Sequence, residues 1–167
     1  MTKQQITVGQ VQNLMNQAAK KFNLVDYREL HRLFGVNERN FRKWRNRADD
    51  CPDAPSAIPG RPLAYLKTLA SGKCEFEPIP GVDWSKIPEQ YITNAENFEC
   101  PPVSVLEFIV GRKGDGLIGL TRKELGSRLG LNWKKFSDDL NSGSISFSTW
   151  AAILLLCGVP YTKVFYL

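Results

Sequence analysis

The chain has 167 residues, 43% of them hydrophobic and 23% charged, a balance that suits one ordinary domain or two small ones and excludes a largely disordered polymer. Its formal charge is +5, unevenly spread: residues 1–50 carry ten Lys/Arg against five Asp/Glu, residues 51–100 four against seven, and residues 101–167 eight against five. The longest apolar run, Trp150 to Cys157, is far shorter than the roughly 20 residues of a membrane span, and no charged stretch followed by an apolar core opens the chain, so neither membrane insertion nor secretion is expected.

In chain order, Val8, Val11, Leu14, Met15, Ala18, Ala19 and Phe22 recur at helical spacing behind a Thr7–Gln10 capping box, which predicts a helix over about 8–22. Asp26 with Glu29 opens a short helix to Phe34, broken at Gly35. Asn37 caps a third helix to about Asn46, and a loop rich in Asp, Pro and Ser runs from Asp49 to Pro59. Pro62 suits the first turn of a fourth helix, with Leu63, Leu66, Leu69 and Ala70 along its buried side. Residues 71–101 lack a sustained period and hold six Asp/Glu against two Lys, with several prolines, the features of a linker, placed at 73–101. Their aromatic residues Phe76, Trp84, Tyr91 and Phe98 predict that it packs rather than waves. A helix then follows Pro102, and a glycine-rich turn covers Arg112 to Gly119. Thr121 with Glu124 opens a short helix to Leu129, broken at Gly130. Asn132 caps a helix ending near Asn141–Gly143. Ser148 or Thr149 begins a last helix, apolar all round, before the stop signals Gly158 and Pro160.

The two halves echo each other. At a constant offset of 95, Arg28–Asn46 (RELHRLFGVNERNFRKWRN) lies over Lys123–Asn141 (KELGSRLGLNWKKFSDDLN), with six of nineteen positions identical, among them Gly35/Gly130, Asn37/Asn132 and Phe41/Phe136. Each segment has the spacing of a helix-turn-helix: an apolar residue near the end of the first helix, a glycine able to take a left-handed turn, an apolar plug, and further apolar residues on the second helix. Leu30, Phe34, Gly35, Val36, Phe41 and Trp44 fill these places in the first unit. Leu125, Leu129, Gly130, Leu131 and Phe136 fill them in the second, where Gly126 supplies a small residue at the helix crossing. His31, the only histidine, occupies that crossing position in the first unit and is expected to alter the crossing angle.

With Phe41 and Trp44 inward, the second helix of the first unit turns Asn37, Glu38, Arg39, Arg42, Lys43 and Asn46 outward, followed by Arg47. Such a surface suits the major groove, where Arg and Lys donate to guanine and Asn pairs with adenine. Arg28, Arg32, Arg45 and Arg47 are placed to meet phosphates. In the second unit Lys134 and Lys135 are the candidate contacts. Asp138 and Asp139 oppose phosphate there, and Trp133, Phe136 and Leu140 read as a core stripe.

The chain resembles the Cro/CI-type (XRE-like) helix-turn-helix regulators of phages and other mobile elements. TRKELGSRLGLN and DLNSGSISFSTWAAILLLCGVP carry the resemblance over about residues 102–165, and LFGVNERNFRKW with IPGRPLAYLKTLA carries it over residues 8–70. The resemblance implies an all-α protein of two small helix-turn-helix (lambda-repressor-like) domains, residues 1–72 and 102–167, joined by the linker at 73–101. It implies a cytoplasmic, nucleoid-associated transcription regulator that binds double-stranded DNA, with a homodimer placing half-sites about one helical turn apart. Tandem domains depart from the usual single domain with a dimerisation tail. The alternative is an adaptor that uses the same scaffold to capture a host or phage protein, favoured by the acidic residues 74–99 and the apolar tail Val164-Phe-Tyr-Leu167.

Enzymatic activity, a cofactor and a metal are not expected. The cysteines Cys51, Cys74, Cys100 and Cys157 form no CxxC pair and read as reduced thiols. Asp49, Asp50 and Asp53 lack calcium-loop spacing, and no phosphate loop, GxSxG elbow or HExxH is present.

Overall fold

The computed structural model describes residues 5–166. Among them the regular structure is entirely helical, with two isolated bridges (Thr7 with Pro55, Lys113 with Thr121) and no strand. No helix among them is long and apolar enough to cross a membrane. The chain divides into two compact units, Met1–Glu75 and Phe76–Leu167.

The first unit contains α1 (Val8–Lys21), a 3-10 turn at Tyr27–Glu29 that runs into α2 (Leu30–Leu33), α3 (Glu38–Lys43) and α4 (Gly60–Ser71). Thr7 and Gln10 close the capping box of α1, each side chain accepting the other's backbone N–H. The apolar stripe of α1 faces α4, and Val11, Met15 and Ala18 are fully buried with Leu30, Phe34, Phe41, Tyr65, Leu66 and Leu69. The ring of Phe34 lies 6.0 Å from that of Phe41 and 5.9 Å from that of Tyr65, so one aromatic pile joins α2, α3 and α4.

The third helix is shorter than its sequence suggests. After Lys43 the rod continues only as single turns, with the N–H groups of Trp44, Arg45 and Asn46 donating three residues back at 3.2–3.4 Å. It then breaks at Arg47, whose φ of 70° is left-handed. That conformation costs a side-chain-bearing residue about 1–2 kcal/mol, and no glycine advertises it. Ser56, buried, donates its hydroxyl to the Trp44 carbonyl and accepts the Ile58 N–H at 3.2 Å, tying the following loop to the end of α3.

The second unit contains α5 (Val103–Val110), α6 (Arg122–Arg128), α7 (Trp133–Ser142), α8 (Phe147–Leu156) and α9 (Tyr161–Val164). Its centre is α8, buried at every position but Ser148, as its all-round apolarity dictates. The helix starts at Phe147, one residue before the expected position, because Ser146 supplies the cap by accepting the Thr149 N–H at 3.3 Å. Pro160, expected only as a stop, also opens α9, since a proline ends one helix and suits the start of the next. In the C-terminal tail Val164 and Phe165 are buried and Tyr166 is exposed. Leu167 lies outside the described residues.

Residues 76–98, the body of the expected linker, lie within the second unit and carry 3-10 turns at Trp84–Lys86 and Glu89–Tyr91. Side-chain and backbone bonds hold the segment rather than any periodic pattern. The Ile79 N–H donates to the Leu156 carbonyl (2.8 Å), Trp150 Nε1 to the Tyr91 carbonyl (2.8 Å), and Asn94 Nδ2 to the Tyr166 carbonyl (3.0 Å).

Cys157 is buried at the end of α8, and burial pushes its thiol up to about 12. Thiol labelling of the native chain at pH 8 is therefore expected to modify the exposed Cys74 and to reach Cys157 only after denaturation, as read by peptide mass mapping. The thiol's folded pKa is raised, so its contribution to stability is complete below the ordinary thiol range near 9.0 and drains away as pH climbs towards 12.

Candidate nucleic-acid interface

The turn that sets α3 on α2 is built from backbone. Gly35, at φ 62°, donates its N–H to the Arg32 carbonyl (3.2 Å), and the Val36 N–H donates to the His31 carbonyl (3.2 Å). Asn37 then caps α3 by accepting the Asn40 N–H at 2.8 Å. The second unit repeats each device at the same offset. Gly130, at φ 66°, donates to the Ser127 carbonyl, the Leu131 N–H donates to the Gly126 carbonyl, and Asn132 accepts from Lys134 and Lys135. Asp26 and Thr121, also 95 apart, both cap the helical segment before the turn.

His31 stands where Gly126 stands in the second unit, and it does more than occupy the crossing. Its Nδ1 donates to the Val36 carbonyl at 2.9 Å, the only polarity a carbonyl partner allows. His31 and Val36 are thus linked in both directions across the turn.

Beyond this turn Phe41 and Trp44 are buried, 5.5 Å apart between ring centroids, and they fix which side of the rod faces solvent. Asn37, Arg39, Arg42, Lys43, Asn46 and Arg47 are exposed, and Glu38 and Arg45 are half-exposed. Glu38, Arg39, Arg42, Lys43 and Asn46 line one shallow hollow of about 380 Å³ along α3. Arg42 is partly spent within it, bonded to Glu38 at 2.6 Å one helical turn back. Among the described residues Arg39, Lys43 and Arg32 have no ion-pair partner within 4.0 Å, so their charge is open to an outside ligand.

A second hollow lies beside the first, between the Tyr27–Glu29 turn and the turns after α3. Arg28, Arg45 and Arg47 line it with Tyr27. Arg28 is paired with Asp26, whose carboxyl is held below the usual range first by the Arg28 side chain and then by the Arg28 N–H. The Arg45 guanidinium stacks 4.4 Å from the centre of the Tyr27 ring.

The matching rod of the second unit has a different surface. Trp133, expected in a core stripe, is 43% exposed and contradicts that expectation. It is the first residue of α7, at the position of Glu38, and its Cβ passes close over Gly126: a Cβ on Gly126 would lie 3.2 Å from it. Phe136 and Leu140 are buried as expected. Lys134 and Lys135 are exposed, but Lys135 bonds Asp139 at 3.1 Å, and Asp138 is exposed beside them. Ser137 and Asn141, which correspond to Arg42 and Asn46, are engaged from below. Buried Arg122 donates to Ser137 Oγ (2.9 Å), to Asn141 Oδ1 (2.7 Å) and, through Nε, to the Gly111 carbonyl (2.8 Å). Desolvation holds this guanidinium below its ordinary pKa. Arg122 was not singled out in the sequence, and its only signal there was its place in the repeat, 95 residues after Tyr27.

Among the described residues no three His, Cys, Asp or Glu side chains are gathered as metal ligands would be. No protein family matches the chain, and no curated protein or solved structure is significantly similar to it.

Proposed function

We propose that the protein is a sequence-specific regulator that binds double-stranded DNA in the bacterial cytosol, the product of a phage, plasmid or other mobile element. It is built from two helix-turn-helix units, and the first supplies the reading helix. One observation carries the proposal: α3 is anchored by buried Phe41 and Trp44 and turns the unpaired cations Arg39 and Lys43 outward, beside Asn37, Arg42 and Asn46. A short rod of this size, donor-rich on one side and clamped on the other, suits the major groove. Selection of bound duplexes from randomised DNA at fixed ionic strength tests it. The expected result is one recurring motif whose affinity falls linearly in log Kd against log salt. Bound pools without any enriched sequence would overturn it.

A second reading concerns the other unit, which we infer to hold a protein partner rather than a base sequence. The nearly neutral surface of α7, exposed Trp133, and a hollow of about 510 Å³ lined by Trp84, Ile87, Ile92 and Tyr166 favour it.

A further inference from the structure

We propose that the hollow between Tyr27 and Arg47 is a phosphate site, distinct from the base-facing surface of α3. It measures about 380 Å³, and its lining is dominated by N–H donors. Arg28 and Arg42 already have carboxylate partners in Asp26 and Glu38, so the charge left to offer belongs to Arg45 and Arg47. The Arg45 guanidinium carbon lies over the Tyr27 ring, 4.4 Å from its centre, which holds the cation at the hollow while its N–H donors, committed to no carboxylate among the described residues, are left for an oxyanion. The Arg47 side chain is committed only to Cys51 Sγ, a weak acceptor, at 3.3 Å.

The same stacking argues against a nucleobase as occupant, because Arg45 already covers one face of the Tyr27 ring. Asp49 and Asp50 also border the hollow, and Asp49 accepts from Gln12 Nε2 at 3.4 Å, so the anion sits towards Arg45 and Arg47. Arg42 and Asn46 line both hollows. A phosphate held here would therefore lie beside whatever α3 reads. The chemistry fits a duplex backbone phosphate or a free phosphomonoester equally, and the DNA reading above bears only on which of these is the source.

The test uses the full chain and two probes: a mixed-sequence duplex titrated across a salt series, and inorganic phosphate titrated by calorimetry in chloride buffer. With backbone phosphate as the source, Arg45→Ala and Arg47→Ala each weaken binding to every duplex alike and reduce the slope of log Kd against log salt by about 0.9. With a free phosphomonoester as the source, inorganic phosphate binds without DNA, and both variants abolish its heat. Tyr27→Leu leaves the charge unchanged and removes the platform, so it weakens the same probe as Arg45→Ala and serves if an arginine variant does not fold. Arg45→Lys should fail to restore binding, since an ammonium does not stack or fork. Unchanged duplex slopes together with unchanged phosphate heats in all four variants would overturn the proposal. If phosphate binds and no duplex does, the site stands and the DNA reading falls. If duplexes bind through Arg39 and Lys43 while these variants are silent on both probes, the reverse holds.

Discussion

Replacing Arg39 and Lys43 together with alanine is expected to weaken binding to the selected duplex by about 2–6 kcal/mol, roughly thirty-fold to more than ten-thousand-fold in Kd. The range follows from about 1–3 kcal/mol for each side chain that donates to a base edge. Both residues are exposed and free of ion pairs among the described residues, so the double variant should keep the wild-type circular dichroism and melting profile. Competition against duplexes with single base changes separates the two roles a cation can play. Loss of a base reader flattens the preference at one position, whereas loss of a phosphate contact lowers all affinities together. Full affinity and full discrimination in the double variant would show that α3 does not enter the groove.

The largest effect on stability is expected at Arg122. Only 6% exposed, it joins the start of α6 to two successive turns of α7 and to the carbonyl of Gly111. Arg122→Ala strips a partner from four acceptors at once, the Gly111 and Ser137 carbonyls, Ser137 Oγ and Asn141 Oδ1, and should cost about 2–4 kcal/mol, from roughly 1–3 kcal/mol for each buried polar group left unpaired and partial rescue of the α7 groups by solvent. Arg122→Lys keeps the charge but lacks the planar fork that reaches separate acceptors, so it should recover only part of the loss. Urea unfolding followed by amide exchange in α6 and α7 reads the effect. Exchange in α3 should not change if the first unit holds itself together.

These features were unequally legible in the amino-acid order, for physical reasons. Caps are local chemistry, and Thr7, Asn37, Thr121 and Asn132 announced their helices within three residues. The turn glycines were legible for the same reason. The end of α3 was not, because the left-handed residue there is arginine rather than glycine or asparagine. The segment 76–98 was opaque because its anchors, such as Trp150 Nε1 on the Tyr91 carbonyl, span 59 residues. Trp133 misled because its spacing to Phe136 and Leu140 fits an apolar stripe, yet the first residue of a helix can lie beyond the edge of the core. At the candidate site, the exposed face of α3 followed from burying Phe41 and Trp44. The hollow beside it did not, because it depends on Arg45 settling on Tyr27 and on the unusual backbone of Arg47.

The bend between the paired helices is held almost wholly by main-chain groups, a left-handed glycine and a capping asparagine. Nothing on the outer side of the following rod is needed to form it. One half of the chain can therefore carry Arg39, Arg42 and Lys43 where the other carries Lys134, Ser137 and Asp138 on the same frame. Duplication followed by drift of those outer letters would yield one copy that keeps an old vocabulary and another released to acquire a new one, with no cost to the hinge that presents either.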